Sequence, residues 1–574
     1  MGSLVAISTF SFVELASGAA KSTKLASPML RLAAATTEAI PTQKRPSKTI
    51  RDIQSALTEL GYYSGSVSGR LNDETRSAIR LYQTRIGLDV TGLPSPDLIK
   101  HLRFVDEVQA LQSRLAEVRE EQIADAREAL TNNPATRKLV KHEEISVADP
   151  TRDPNVCFDR PTPNCLLDEA IESAKAIFRV QFRDWVLGEI LTSQARAGFS
   201  LAALSTLRLV EDPRLVIVGL RNISRAQAVA GLLVEARETA SIIPLSWSRA
   251  EAFAAIAPAE AGIGAAAAVQ RSVRRVLELA DEPADIRRRV ATLGALAVAL
   301  SSAGDSETAQ VVITRARELI DASPEAEAKR EALLSEIATA LADLGHLDES
   351  LQIFGQIIDT RHHPPVMLAA ARAYLRDGRD EEAFATATAV PEERYKVVAL
   401  GRVAVAQYRA GNKDRATETL ESALEVADEI DSRAAYARSY AISQVVHAFI
   451  AIGSFATATK TARGIQDARL LTDAYWSIAA AQARAGNDVG AVKNFQLAKQ
   501  ALADVRSPLD RSWIMSNLVV SQIQAKDHPA AKQALAQAVA ITRQITSPWA
   551  RAQGIAKLAA SLIAFDAATA PAEQ

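Results

Sequence analysis

The 574-residue chain is poor in aromatic side chains, at 5%, and nearly empty of cysteine, with two. Strands draw on β-branched and aromatic residues, so a chain short of rings and rich in alanine and leucine is expected to be helical. Charge of one sign is lacking as well: 66 basic and 68 acidic residues leave a formal net charge of −2. Nucleic-acid binders need a clustered basic face, and this balance gives no reason for such a partner. No stretch approaches the roughly eighteen uninterrupted apolar residues of a spanning helix, so no membrane span is expected.

Catalytic patterns are missing too. The seven histidines are scattered, and neither a His-Glu-x-x-His zinc motif nor a Gly-x-Ser-x-Gly elbow nor a phosphate-binding Gly-x-x-x-x-Gly-Lys-Ser/Thr loop occurs. His362-His363, followed by Pro364-Pro365, reads as a loop between helices. No catalytic residue, metal site or cofactor is expected, and the chain reads as a non-enzyme. The two cysteines, Cys157 and Cys165, stand close together in "VCFDRPTPNC". An even count in a proline-bearing loop suits a local disulfide in an oxidising compartment; two reduced thiols are the alternative.

What is present divides the chain into segments. Leu4 to Val13 is an apolar run of signal-peptide length, and Gly18-Ala19-Ala20 supplies small residues for cleavage, although no Lys or Arg precedes the run. Residues 1–20 are therefore expected to be a signal peptide and residues 21–47 a linker. A compact unit follows over 48–103. From 104 to 131 the apolar positions Phe104, Val108, Leu111, Leu115 and Val118 step by four, three, four and three, the seam of a short coiled coil or a helical hairpin. Residues 132–164, rich in Pro, Asp and Thr, read as a second linker. Helical repeats fill 165–565, and a disordered tail closes the chain at 566–574.

The repeats announce themselves at glycines. Gly198, Gly231, Gly262, Gly304, Gly345, Gly378, Gly411, Gly453 and Gly486 each end an Ala/Leu-rich helix, and Lys526-Asp527 makes a tenth turn without glycine. Gly closes a helix in the left-handed conformation, and a following Asp or Asn caps the next. Helix pairs of this size cannot bury their stripes alone, so neighbours are expected to stack into a superhelix. The spacing resembles the tetratricopeptide repeat, without most of that family's tryptophan-leucine-glycine-tyrosine signature. Pro258 makes the third unit irregular. Fifteen residues before several turns stand Arg183, Arg289, Arg330, Arg438 and Arg511, with Lys396 in register. They read as helix-start arginines paired with neighbouring carbonyls or carboxylates rather than as a basic groove.

Within 48–103 the residues predict three short helices. "TIRDIQSALTELG" ends at Gly61, Asp73 caps "ETRSAIRLYQTRIG", and Ser95 caps "SPDLIKHL". Gln54, Leu57, Leu60-Gly61-Tyr62-Tyr63, Gly69, Thr75, Ala78-Ile79, Tyr82-Gln83, Gly87-Leu88 and Gly92 together resemble the bacterial peptidoglycan-binding-like domain found on many cell-wall hydrolases. Ser68 stands where that family usually has Asp, and Asn72 where it usually has Gly. Asn tolerates the left-handed conformation, so the fold is expected to survive with a looser loop. The resemblance implies a grip on peptidoglycan, with Tyr62, Tyr63, Arg70 and Gln83 as candidate contacts. No hydrolase accompanies the domain here.

These readings combine into an all-α protein: a small three-helix peptidoglycan-binding-like domain, a coiled-coil-like helix, and a long tetratricopeptide-like α-solenoid. The expected role is a periplasmic adaptor between peptidoglycan and an unidentified protein partner, in cell-wall remodelling or an envelope-spanning machine such as a motor or secretion apparatus. An accessory subunit of a cell-wall hydrolase and a cytoplasmic repeat scaffold with a repurposed small domain remain alternatives.

Overall fold

A computed structural model describes residues 46–140, 147–280, 285–323, 327 and 329–570, and every regular element among them is helical. The expected signal peptide and nearly all of the first linker lie outside the described residues. The chain divides into two compact units, Met1–Ala116 and Glu117–Gln574.

In the first unit, α1 (Lys48–Glu59) and α2 (Asp73–Ile86) pack on the start of α3 (Pro96–Asn132). Ile53 and Leu57, Ala78, Ile79 and Tyr82, and Leu98 and Leu102 form the core, one set from each helix. The cap of α2 is Asn72, not Asp73: its side-chain oxygen accepts from the Thr75 amide at 2.8 Å, and its φ of −93° is extended rather than left-handed. An extended N-cap with an acceptor side chain suits asparagine, so the change from glycine here adds a hydrogen bond. Ser95 caps the third helix as expected, accepting from Leu98 N at 3.1 Å. That helix does not stop near residue 103. With no Gly or Pro after Pro96, it runs on for 37 residues, so the third helix and the coiled-coil-like segment are one element.

The second unit is built of helical hairpins. Its main series comprises, among the described residues, eleven helices: Val180–Arg196, Pro213–Val229, Ser246–Gly262, Ile286–Ser302, Arg330–Leu344, His363–Arg376, Glu393–Arg409, Ala435–Ala451, Ala468–Arg484, Pro508–Gln524 and Pro548–Thr569. Each packs on the next, and the last packs back on the first. The partner helices between them scarcely touch one another, which puts the eleven on the inside, where the circumference is shorter. The array is therefore closed on itself, a feature on which the predicted superhelix is silent. Pro163–Lys175, at the start of the array, forms a hairpin-like pair with Pro548–Thr569. One hydrophobic core runs from Ala126 to Ile563.

The turns follow the glycine pattern with one shift. Gly264 (φ 71°), not Gly262, closes the third hairpin, because the helix carries Pro258 within it and continues through Gly262. Lys526 takes φ 58° at the turn that lacks glycine. A buried polar clamp recurs across hairpins: Gln194 accepts from Thr206, Gln407 from Thr419, Gln482 from Asn494 and Glu260 from Ser272, each twelve residues on, at 2.7–2.9 Å. Four of the helix-start arginines pair locally, while Arg511 Nε is buried with no hydrogen bond. Arg183 meets Glu211, Arg289 donates to the Ala280 carbonyl at 3.2 Å, Arg330 lies 3.9 Å from Asp321, and Arg438 lies 2.6 Å from Asp428.

The second linker packs on the array at a few points and is otherwise mostly exposed among its described residues. Leu139, Cys157 and Phe158 are buried in the array core, and Asn133 Nδ2 donates to the Ile242 carbonyl at 3.1 Å. The expected tail is helical as far as Thr569; residues 571–574 lie outside the described residues.

Candidate functional site

Two glutamines organise the loops of the first unit. The Gln54 carboxamide accepts from Gly69 N at 2.8 Å and donates to the Arg70 carbonyl at 3.0 Å and Thr75 Oγ1 at 2.8 Å. The Gln83 carboxamide accepts from Gly92 N at 2.9 Å and donates to Thr91 Oγ1 at 3.1 Å. Both glycines have positive φ, 73° and 67°; a Cβ would meet the Ser47 carbonyl at 2.9 Å in one case and the Arg80 side chain at 2.9 Å in the other. Each loop is thus pinned by a buried amide to a position that only glycine fills. Gly61 and Gly87, also left-handed, end α1 and α2.

This arrangement sorts the four candidate contacts. Gln83, 1% exposed, has both ends of its amide engaged within the fold, so little remains for a ligand. Tyr63, 4% exposed, lies in the core, and its hydroxyl donates to the Ser66 carbonyl at 2.9 Å. Tyr62 is half-buried, edge-on to Tyr82 at 5.1 Å between ring centroids, and Arg70 is exposed. Ser68 Oγ accepts from Arg70 N at 3.3 Å, a longer bond than a carboxylate would make. Sequence alone does not separate the outward pair from the inward one, because tyrosines and amides serve either purpose. The Tyr82 hydroxyl lies 2.9 Å from His101 Nδ1, and burial raises its pKa.

In the second unit the chemistry gathers at the seam. Cys157 and Cys165 form a disulfide with their Cα atoms 5.5 Å apart. It ties the short helix Asn155–Asp159 to the start of Pro163–Lys175, the helix that pairs with the chain's last one. Asp159 pairs with Arg543, whose guanidinium also lies 5.7 Å from the centroid of the buried Phe158 ring. Glu169, nearly buried, accepts from Arg152 at 2.9 Å and from Arg551 at 3.1 Å. Glu189 on Val180–Arg196 and Lys557 on Pro548–Thr569 sit near each other beside Arg196. Desolvation raises the carboxyl pKa and lowers the amine pKa, each partly offset by the other's charge.

The seam also exposes aromatic rings. Phe178 is 98% exposed, and Phe182, Trp185 and Trp549 are substantially so. Phe182 lies 6.2 Å from Trp549 between ring centroids; Phe182 and Trp185 share the first turns of Val180–Arg196, and Phe178 lies in the bend just before that helix. Gln553, one helical turn beyond Trp549, is buried with no hydrogen bond to either amide atom. Among the described residues, no group of three or more His, Cys, Asp and Glu could hold a metal ion. No helix among them is long and apolar enough to cross a membrane.

Fold and site thus define a small binding-type helical domain followed by a closed helical-repeat array. Residues 46–102 match the family described as putative peptidoglycan binding domain, about a tenth of the chain. No curated protein matches. Among solved structures, Ton1535 from Thermococcus onnurineus NA1 is similar at 17% identity and a TM-score of 0.27, over 57% of this chain and 96% of that one. A circular tandem repeat protein with novel repeat topology and enhanced subunit contact surfaces is similar at 12% identity and a TM-score of 0.18, over 91% and 96%. At those scores neither likeness carries an argument about fold or function.

Proposed function

We propose that this chain is a non-enzymatic adaptor of the bacterial periplasm, gripping peptidoglycan through its first unit and holding a protein partner on its repeat array. The match of residues 46–102 to the peptidoglycan-binding family carries the first half. Within that unit Tyr62 and Arg70 are the outward-facing contacts, one for stacking and one for hydrogen bonds to glycan or stem peptide. The Cys157–Cys165 disulfide fits an oxidising compartment such as the periplasm. The partner's place is the aromatic rim of the seam, since exposed contiguous apolar surface marks interaction sites and aromatic residues supply most interface anchors. The process served is cell-wall remodelling or an envelope-spanning machine.

The test is co-sedimentation of the full chain with purified sacculi. Binding that falls with Tyr62→Ala and Arg70→Ala is expected; a chain that stays in the supernatant overturns the reading. All five tryptophans lie in the array, so indole fluorescence reports the partner face separately from the first unit.

A further inference from the structure

The middle of α3 is solvent-exposed, though Gln122 accepts from Arg214 at 3.5 Å and the Arg119 charge reaches Asp212. From Ala110 to Gln122 every residue is exposed, including Leu111, Leu115 and Val118, and Phe104 one heptad earlier is 62% exposed. These residues and Val108 hold the four-three-four-three spacing of a coiled-coil seam, and Leu102 is the last residue before them in the first unit's core. A regular apolar stripe on a solvated helix is what a partner helix covers. The stripe ends after Val118, where Gln122 and Asp125 take the seam positions, so the contact is short.

We infer that this stripe pairs with the same stripe of a second copy of the chain, in antiparallel orientation. The flanking charges choose the orientation. With Phe104, Leu111 and Val118 at d and Val108 and Leu115 at a, the g positions are Glu107, Arg114 and Glu121, and the e positions are Val105, Gln112 and Arg119. In a parallel pair each g residue faces the e residue five further along the other helix. Arg114 would then meet Arg119 of the second copy, twice, and Glu107 would meet only Gln112. In an antiparallel pair with Val108 opposite Leu111 and Phe104 opposite Leu115, g residues face g residues. Glu107 then meets Arg114 of the second copy twice along one edge, and Val105 meets Gln112 along the other. The antiparallel register replaces two like-charge contacts with two opposite-charge ones while keeping four apolar layers, with Val118 opposite His101. Such a dimer carries two first units. If these grip peptidoglycan as proposed above, the pair binds bivalently and gains avidity without any new contact.

The test is sedimentation equilibrium of the full chain from low to high micromolar concentration. A mass rising toward twice the 61.5 kDa of one chain is expected. Leu111→Ser with Leu115→Ser should weaken the dimer at least about tenfold, because the loss falls on both helices. Arg114→Glu alone should weaken it several-fold by setting Glu107 against a glutamate. Adding Glu107→Arg should restore it, which separates lost pairing from lost folding. A chain monomeric throughout the range overturns the inference, as does a dimer indifferent to the serine substitutions. Tightening by Arg114→Glu alone overturns the orientation, because only the parallel pair gains an attraction, to Arg119, from that change. None of these readouts depends on sacculus binding.

Discussion

Replacing Glu169 by alanine perturbs the array at an acid shared by both of its ends. Its carboxylate takes hydrogen bonds from Arg152, near in sequence, and from Arg551, 382 residues away. Breaking a fully buried ion pair costs about 3–5 kcal/mol, whereas an exposed pair contributes at most about 1. Glu169 is nearly buried, but the Arg152 and Arg551 side chains are 33% and 24% exposed and can return to water once unpaired. The cost therefore falls between these limits, at about 2 kcal/mol, or roughly thirtyfold in an opening equilibrium. The assay is native-state hydrogen exchange. In a closed ring, amides of Pro163–Lys175 and of Pro548–Thr569 should lose protection together by about that factor, while Glu393–Arg409 on a distant hairpin is unchanged. In an open superhelix the two ends have no contact. Protection lost around residue 169 alone, with Pro548–Thr569 unaffected, would refute the closure and the reasoning built on it.

Three further outcomes follow from the same geometry. Removing the disulfide with Cys157→Ser and Cys165→Ser opens a loop of about nine residues, and chain entropy puts the loss near 2.6 kcal/mol; a lower urea midpoint for the array checks this, and an unchanged midpoint contradicts it. His447 is desolvated, which disfavours its charge, yet Asp473 at 3.2 Å from Nε2 and the Ser443 carbonyl at 2.7 Å from Nδ1 outweigh that and raise its pKa. A raised pKa contributes stability that is complete below the unfolded value near 6.5 and fades as pH rises through the folded one, so His447→Gln should lower Tm at about pH 5.5 and scarcely at about pH 9. Gln83→Ala should destabilise the first unit by about 1–3 kcal/mol, because it leaves the Gly92 amide unpaired inside, whereas Arg70→Ala should leave its melting curve within about 0.5 kcal/mol while reducing sacculus binding.

Much of the local structure could be read from residue chemistry. The turn at Gly486 needs a left-handed residue whatever surrounds it, and Ser95-Pro96 starts a helix by satisfying its own first amides. The order of motif residues from Gln54 to Gly92 likewise marks the small domain. The roles within that order were less open to reading. Gln83 and Arg70 both look like ligand-binding side chains in a string of letters, and only packing shows that one amide is spent on Gly92 while the guanidinium faces solvent. Asn72 suits a left-handed backbone on sequence grounds alone, but it sits as an extended N-cap because its side chain supplies a missing acceptor.

The sequence by itself determined the composition of helices, the hairpin rhythm, the pairing of Cys157 with Cys165 as one of two readings, and the stripe from Phe104 to Val118. Tertiary structure decided that the third helix and the stripe are continuous, that the second linker docks on the array through Leu139, Cys157 and Phe158, and that the array closes. Closure depends on the small rotation between successive hairpins, summed over all eleven. No single turn or stripe encodes that sum, so Pro163–Lys175 and Pro548–Thr569 look like ordinary chain ends until the accumulated curvature brings Glu169 to Arg551.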